Sequence, residues 1–168
     1  LDGPLTVEDI VENVDRIRDE AGYSTPQDWP AEWAQVADLV TGAAHEAYVT
    51  ALAGLPVRFV QNTAWDEGIG GSIATGVRAL SDEAEGVFIV PGDLPNLTAD
   101  VFRRLALAFA EASGARVVVP VTAAGAQRNP VLWPRGLFPR LQALSGPRGG
   151  KSLLDTLGDQ RVDVAFDD

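Results

Sequence analysis

The sequence contains no cysteine, no methionine and only one histidine, His45. Without cysteine, the chain cannot form disulfides, bind zinc through thiolates or use a cysteine nucleophile. A single histidine cannot build a site in which several imidazoles hold one metal ion. We interpret His45 as a surface residue of a helix. Because position 1 is Leu, we do not expect it to be the natural start of the protein.

Positive charge is also scarce, and the formal net charge is -11. Nucleic acids and anionic membranes are bound by basic surfaces, so this balance argues against both as partners. It leaves open one small anion bound by backbone N–H groups. No apolar run approaches the ~18 residues of a membrane span, and no signal peptide is visible. We therefore expect a cytoplasmic protein.

The 168 residues fit one domain, which we assign to residues 1–168. Apolar patterns predict strands at 36–41, 56–60, 87–90, 116–121, 131–133 and 161–166. Helical patterns lie between most of them, at 43–53 and 98–113 for example, and one precedes them at 7–17. This alternation predicts an α/β sandwich with a mostly parallel sheet.

The most informative stretch runs from Glu85 to Pro95. Val87 to Val90 is a continuous apolar run, typical of a strand buried on both faces. Pro91 and Gly92 end the strand, and the carboxylate of Asp93 follows. Ligands of open α/β sheets bind beyond the carboxyl ends of the strands, where one carboxylate plus substrate phosphates suits Mg²⁺. The alternative is an Asp that only bonds its own turn.

A glycine-rich stretch at 62–76 lies between a predicted strand and a predicted helix. Gly68, Gly70 and Gly71 permit close approach of another backbone or of a ligand. Ser72 stands where it could cap the helix, whose free N–H groups would attract phosphate or sugar hydroxyls. The stretch matches neither the Walker motif nor Gly-x-Gly-x-x-Gly, so a flexible turn with an ordinary cap is the alternative.

Several motifs together carry a resemblance to one family. They are Asn62-x-x-Trp65-x-x-Gly68-x-x-x-Ser72-x-x-x-Gly76, Pro91-Gly92-Asp93-x-Pro95, Arg128-Asn129-Pro130-Val131-Leu132 and Gly146-x-x-Gly149-Gly150-Lys151. In this order and spacing, the sequence resembles the MobA-like nucleotidyltransferases, and within them the molybdenum cofactor cytidylyltransferase (MocA-like) branch. The likeness covers most of the chain except the loop at 23–33.

The resemblance implies a three-layer, Rossmann-like fold of the nucleotide-diphospho-sugar transferase type and a Mg²⁺-dependent reaction. The phosphate of molybdopterin cofactor would attack the α-phosphorus of an NTP, CTP in this branch, and expel pyrophosphate. Asp93 would hold Mg²⁺ as the catalytic carboxylate. The candidates for nucleotide binding are Gly68, Gly71, Ser72 and Gly92, and those on the acceptor side are Arg128, Asn129, Pro130, Gly149 and Lys151.

The sequence departs from the family pattern at both ends. The family begins with a strand and a glycine-containing loop that grips the triphosphate, and its later Asp-Ile-Asp-Thr-Pro segment would lie beyond Asp168. The first strand would lie beside Val87 to Val90, and without it two buried sheet edges stay unpaired. We therefore expect the 168 residues to be part of a longer chain.

The intact mass of the natural protein tests this expectation. We expect a mass well above 17.8 kDa, because unpaired edges in the middle of a sheet are costly. A mass equal to 17.8 kDa would contradict it.

Two other functions remain open at this point. One is a non-catalytic homologue that binds nucleotide or cofactor and hands molybdenum cofactor to a partner molybdoenzyme or its chaperone. The other is a related nucleotidyltransferase with a different phosphate acceptor, against which the Arg128-Asn129-Pro130 motif weighs by resemblance.

Overall fold

The computed structural model describes residues 37–53, 57–94 and 97–166. The helix predicted at 7–17, the loop at 23–33 and Pro95 lie outside the described residues. Six strands and five α-helices form in the described ranges: β1 Ala37–Thr41, α1 His45–Ala51, β2 Val57–Gln61, α2 Ile69–Ala79, β3 Gly86–Ile89, α3 Ala99–Glu111, β4 Val117–Thr122, β5 Val131–Pro134, α4 Phe138–Gln142, α5 Lys151–Leu154 and β6 Arg161–Phe166.

These strands form two sheets. In the first, β1 and β2 run parallel from the pair Ala37–Val57 to the pair Thr41–Gln61. The second has the order β3-β5-β4-β6, with β4 and β6 parallel and β5 antiparallel to both of its neighbours. The predicted α/β class is confirmed, and the short strand expected at 131–133 is the antiparallel member.

The core lies on both faces of the second sheet, because alternate side chains of β4 point to opposite sides. Val117, Val119 and Val121 join Trp133 in a cluster that also includes residues of α2, α4 and α5. Val118 packs on the other face, against Leu132 of β5 and Leu105 of α3. Helices therefore cover both faces of this sheet, which is the three-layer arrangement predicted.

Strand β3 is less buried than its sequence predicts. All four of its residues are half-buried, and the next residue, Val90, is 43% exposed. Among the described residues β3 pairs only with β5, so it is an edge strand of the sheet that these residues form. An edge strand has one neighbouring strand where a central strand has two, so its side chains are less covered.

Helix α2 runs antiparallel to both β2 and β3, and this fixes where the loops meet. Arg58, the second residue of β2, donates a hydrogen bond to the carbonyl of Ala79 at the end of α2. Residues 80–85 then lead directly into the start of β3. The amino end of α2 therefore lies toward the carboxyl ends of β2 and β3, where the site was predicted.

The same arginine also ties the two strands of the first sheet together. Its Nε and Nη2 donate to the two carboxylate oxygens of Asp38, at 2.7 and 2.6 Å. The side-chain hydrogen bond and the charge of Asp38 raise the pKa of Arg58 above its ordinary value. One side chain thus connects β1, β2 and the end of α2.

Two leucines of α3 provide a matched test of this packing. Leu105 is fully buried and Leu107 is 58% exposed, on the same helix. We expect Leu105→Ala to lower the free energy of unfolding by about 2–5 kcal/mol, because it leaves a cavity. Leu107→Ala should change it by less than about 0.5 kcal/mol. Urea unfolding followed by circular dichroism measures both, and equal effects would contradict the assigned core.

Candidate active site

The register of the second sheet brings two of the predicted motifs to one edge. Ile89, the last residue of β3, pairs with Val131, the first residue of β5. The turn at 91–93 and the segment Arg128-Asn129-Pro130 therefore lie at the same edge. The backbone N–H of Arg128 donates to the carbonyl of Pro120 at 2.8 Å, which holds this segment beside β4.

Asp93 lies exposed in the turn that follows β3. Among the described residues, its carboxylate has neither an ion-pair partner nor a hydrogen-bond donor. Within the same residues no three His, Cys, Asp or Glu side chains group together as a metal cage. A single free carboxylate fits a hard divalent cation that takes its remaining ligands from substrate phosphates and water.

The glycine-rich segment forms a helix start that differs from the predicted one. Helix α2 begins at Ile69, and Gly68 is its N-cap with φ of +116°. Ser72 therefore lies inside the helix and is not its cap. The N–H of Gly70 donates to the carbonyl of Gly146 at 2.9 Å, and the N–H of Gly71 donates to Gly68 at 3.2 Å. We expected free N–H groups here, but these two already donate to carbonyls of the protein and are not free to bind phosphate.

The two glycine-rich segments of the sequence pack directly against each other. A Cβ added to Gly68 would lie 2.7 Å from the carbonyl of Gly146, and one on Gly70 would lie 2.7 Å from that of Ser145. A Cβ on Gly149 would lie 2.9 Å from Cγ2 of Ile69. Contacts below 3.0 Å are not tolerated, so only glycine permits this approach. The fold thereby places Gly68, Gly71 and Ser72 beside the segment of Gly149 and Lys151.

Asn62 organises the turn that leads into α2. Its side chain is 6% exposed, and its Nδ2 donates to the Ser72 hydroxyl at 3.0 Å. Its Oδ1 accepts from the N–H of Ala64 at 3.1 Å, and its own N–H donates to the carbonyl of Thr41 at 2.8 Å. Asn62 thus links the ends of β1 and β2 to α2. The sequence signalled it only as the first residue of a motif.

His45 is not the surface residue that we expected. It is half-buried at the first position of α1, where its Nδ1 lies 2.6 Å from the Thr41 hydroxyl. Its ring also meets Phe59 edge to face, with the ring centroids 6.3 Å apart. The short connection from β1 to α1 turns this first helical residue back onto the sheet.

Three cations near these loops have side chains without a partner among the described residues: Arg128, Arg148 and Lys151. In contrast, Arg135 donates to the carbonyls of Asp82 and Ala84, and most other described arginines bind an acid or a carbonyl. Sequence reasoning overlooked Arg148. The available signal was residues 112–154, which hold six basic residues and no acidic one in a chain of net charge -11.

The described strands and helices form an α/β fold of the Rossmann-like class, in which ligands bind beyond the carboxyl ends of the strands. The model of the MobA-like NTP transferase domain family matches residues 31–162. The chain belongs to this family, whose members are nucleotidyltransferases acting on a nucleoside triphosphate. In the described part of the chain, no helix has the length and apolarity needed to cross a membrane.

Solved structures with this fold support the architecture. The crystal structure of Rv0371c from Mycobacterium tuberculosis H37Rv has a TM-score of 0.69 at 22% identity, covering 95% of this chain and 75% of that one. A manganese complex of Rv0371c has a TM-score of 0.64 at 20% identity, covering 99% and 79%. A nucleotidyl transferase from Methanothermobacter thermautotroptrophicus (Mth528) gives 0.66 at 24%, covering 98% and 71%. No curated protein matches the sequence.

Adjacent glycines of α2 test the contact between the two segments. We expect Gly70→Ala to lower the free energy of unfolding by about 1–3 kcal/mol, because its Cβ would overlap the Ser145 carbonyl. Gly71→Ala is the control, since its Cβ would lie 3.7 Å from Asn62 Nδ2. An alanine there should be neutral or stabilising by up to about 1 kcal/mol. Urea unfolding curves that coincide for the two variants would contradict the close contact.

Proposed function

We propose that this protein is a Mg²⁺-dependent nucleotidyltransferase that moves a nucleoside monophosphate, CMP from CTP, onto molybdopterin cofactor. The observation that carries the proposal is the charge pattern at one edge of the fold. Asp93 and Arg128 lie on loops at one edge of the second sheet, and Lys151 begins α5, directly after the segment that packs against the glycine-lined start of α2. Among the described residues, none of these three charged side chains has a partner. A triphosphate with a divalent cation complements both kinds of charge.

The reaction needs positioning and charge neutralisation more than covalent chemistry. An oxygen of the acceptor's phosphate forms a bond to the α-phosphorus. The bond from that phosphorus to the bridging oxygen breaks, and pyrophosphate leaves with the electron pair. When bound, Mg²⁺ would neutralise charge on the phosphate oxygens.

Seven of the candidate residues have a definite part in this scheme. Asp93 holds the cation, and Gly68, Gly71 and Gly92 admit the nucleotide close to the backbone. The Ser72 hydroxyl, oriented by Asn62, lies at the same helix start. On the acceptor side, Arg128 and Lys151 attract the phosphate of molybdopterin cofactor.

The choice of CTP and molybdopterin rests on the motif resemblance, above all on Arg128-Asn129-Pro130 and Gly149-Gly150-Lys151. The β3–β5 register supports it indirectly, because it brings Arg128-Asn129-Pro130 and Asp93 to the same edge of the second sheet. The choice of a divalent cation is supported by the Asp93 carboxylate and by the manganese complex of Rv0371c, which has a similar fold.

Pyrophosphate release in the presence of CTP, Mg²⁺ and molybdopterin tests the proposal. We expect Asp93→Asn to lower turnover by about 100-fold or more, because it removes the charge that holds the cation. Asp82→Asn is the matched control. Asp82 is also exposed, but it lies in the connection before β3, at the opposite end of that strand. This variant should retain the parental rate.

Two results would contradict the proposal. Unchanged turnover of Asp93→Asn would refute the metal assignment. Pyrophosphate release that is the same with and without molybdopterin, for each NTP in turn, would refute the acceptor.

A further inference from the structure

Trp65 is a large apolar side chain that the core does not use. It lies in the short 3-10 turn Trp65–Glu67, directly before Gly68, and is 49% exposed. It belongs to neither core cluster, whereas Trp133 is 1% exposed within one of them. A half-exposed indole beside a candidate active site therefore needs an explanation other than packing.

The backbone of Gly42 supports one side of this indole. A Cβ on Gly42 would lie 2.7 Å from Cγ of Trp65 and 3.2 Å from its Cδ2, so the ring rests where a side chain would otherwise be. Contact on one side and 49% exposure overall leave much of the ring available to a ligand. Gly42 immediately follows β1, which places the ring at the carboxyl end of the first sheet.

The turn that carries Trp65 is held in place before any ligand binds. Asn62 accepts a hydrogen bond from the N–H of Ala64, next to Trp65, and also bonds Thr41 and Ser72. Preorganisation of this kind lowers the entropic cost of binding. The turn that carries the indole is thus tied through Asn62 to β1, β2 and α2.

Charge on either side of Gly68 gives a bound nucleotide a direction. Asp66 and Glu67 are exposed beside Trp65, and they repel phosphate. Arg148 and Lys151 follow Gly146 and Pro147, the residues that contact Gly68. An elongated ligand with an uncharged ring at one end and phosphates at the other therefore fits with its ring at Trp65.

We propose that Trp65 stacks on the nucleobase of the bound NTP, an inference that rests on the proposed nucleotidyltransferase function. A stacked base typically contributes about 1–3 kcal/mol. Removal of the indole should therefore weaken nucleotide binding by about tenfold or more. Because the ring contacts no phosphate in this arrangement, the same change should leave binding of a triphosphate without a base unaltered.

Titration calorimetry that measures the affinity for CTP and for inorganic tripolyphosphate, each with Mg²⁺, distinguishes the two ends of the site. We expect Trp65→Ala to weaken the binding of CTP by about tenfold or more and to leave the binding of tripolyphosphate unchanged. Trp65→Phe should restore most of the CTP affinity. Gly42→Ala should produce the same selective loss, because its Cβ would displace the indole without removing it. Asp93→Asn should weaken both ligands.

The outcomes separate this inference from the proposed function. Equal weakening of both ligands by Trp65→Ala, or no effect on CTP, would overturn the stacking role. Weakened binding of free pterin with CTP binding unchanged would also overturn it, and would assign the ring to the acceptor. If Asp93→Asn affects neither ligand but Trp65→Ala still weakens CTP alone, the metal assignment fails and the stacking role stands.

Discussion

The candidate site depends on the contact between two glycine-rich segments that are far apart in the sequence. The N–H of Gly70 binds the carbonyl of Gly146 at 2.9 Å, and neither Gly68 nor Gly70 could carry a Cβ at this distance. A buried N–H left without an acceptor would cost about 1–3 kcal/mol. The contact fixes the start of α2 against the loop before α5, and the roles proposed for Ser72, Trp65 and Lys151 use that juxtaposition.

This contact also explains why the start of α2 is not simply an open anion site. The helix begins three residues earlier than Ser72, and two of its first N–H groups are already paired inside the protein. Basic side chains can supply positive charge to a substrate here. Arg148 on the contacting loop and Lys151 at the start of α5 have no side-chain partner among the described residues. The chain has a net charge of -11, but residues 112–154, which include both side chains, contain no acidic residue, so this stretch is locally basic.

The site has distinct ends. Trp65, resting on Gly42, offers an aromatic surface beside the acidic Asp66 and Glu67. Asp93 and Arg128 follow β3 and precede β5, at an edge that the register of the second sheet defines. A nucleoside triphosphate has matching ends, since its base is an uncharged ring and its phosphates are charged. The proposed function and the proposed stacking role are therefore two consequences of one distribution of charge.

Local patterns in the sequence were enough for most of the fold. The strands at 36–41, 56–60, 116–121, 131–133 and 161–166 form within a residue or so of their predicted bounds, where these are described. Apolar periodicity, glycine and proline report on the nearest few residues, and secondary structure depends mainly on those. The motif order likewise identified the family, because it is a property of the sequence itself.

Only the tertiary structure decided what depends on residues distant in the chain. The burial of β3 was overestimated from its apolar run, because an apolar run does not report how many strands lie beside it, and β3 pairs only with β5 among the described residues. The half-buried His45, the helix start at Ile69 and the buried amide of Asn62 were missed for a related reason. Each depends on a partner that the fold supplies. Burial and hydrogen bonding are determined only when the elements pack together, whereas apolar periodicity is a property of the sequence alone.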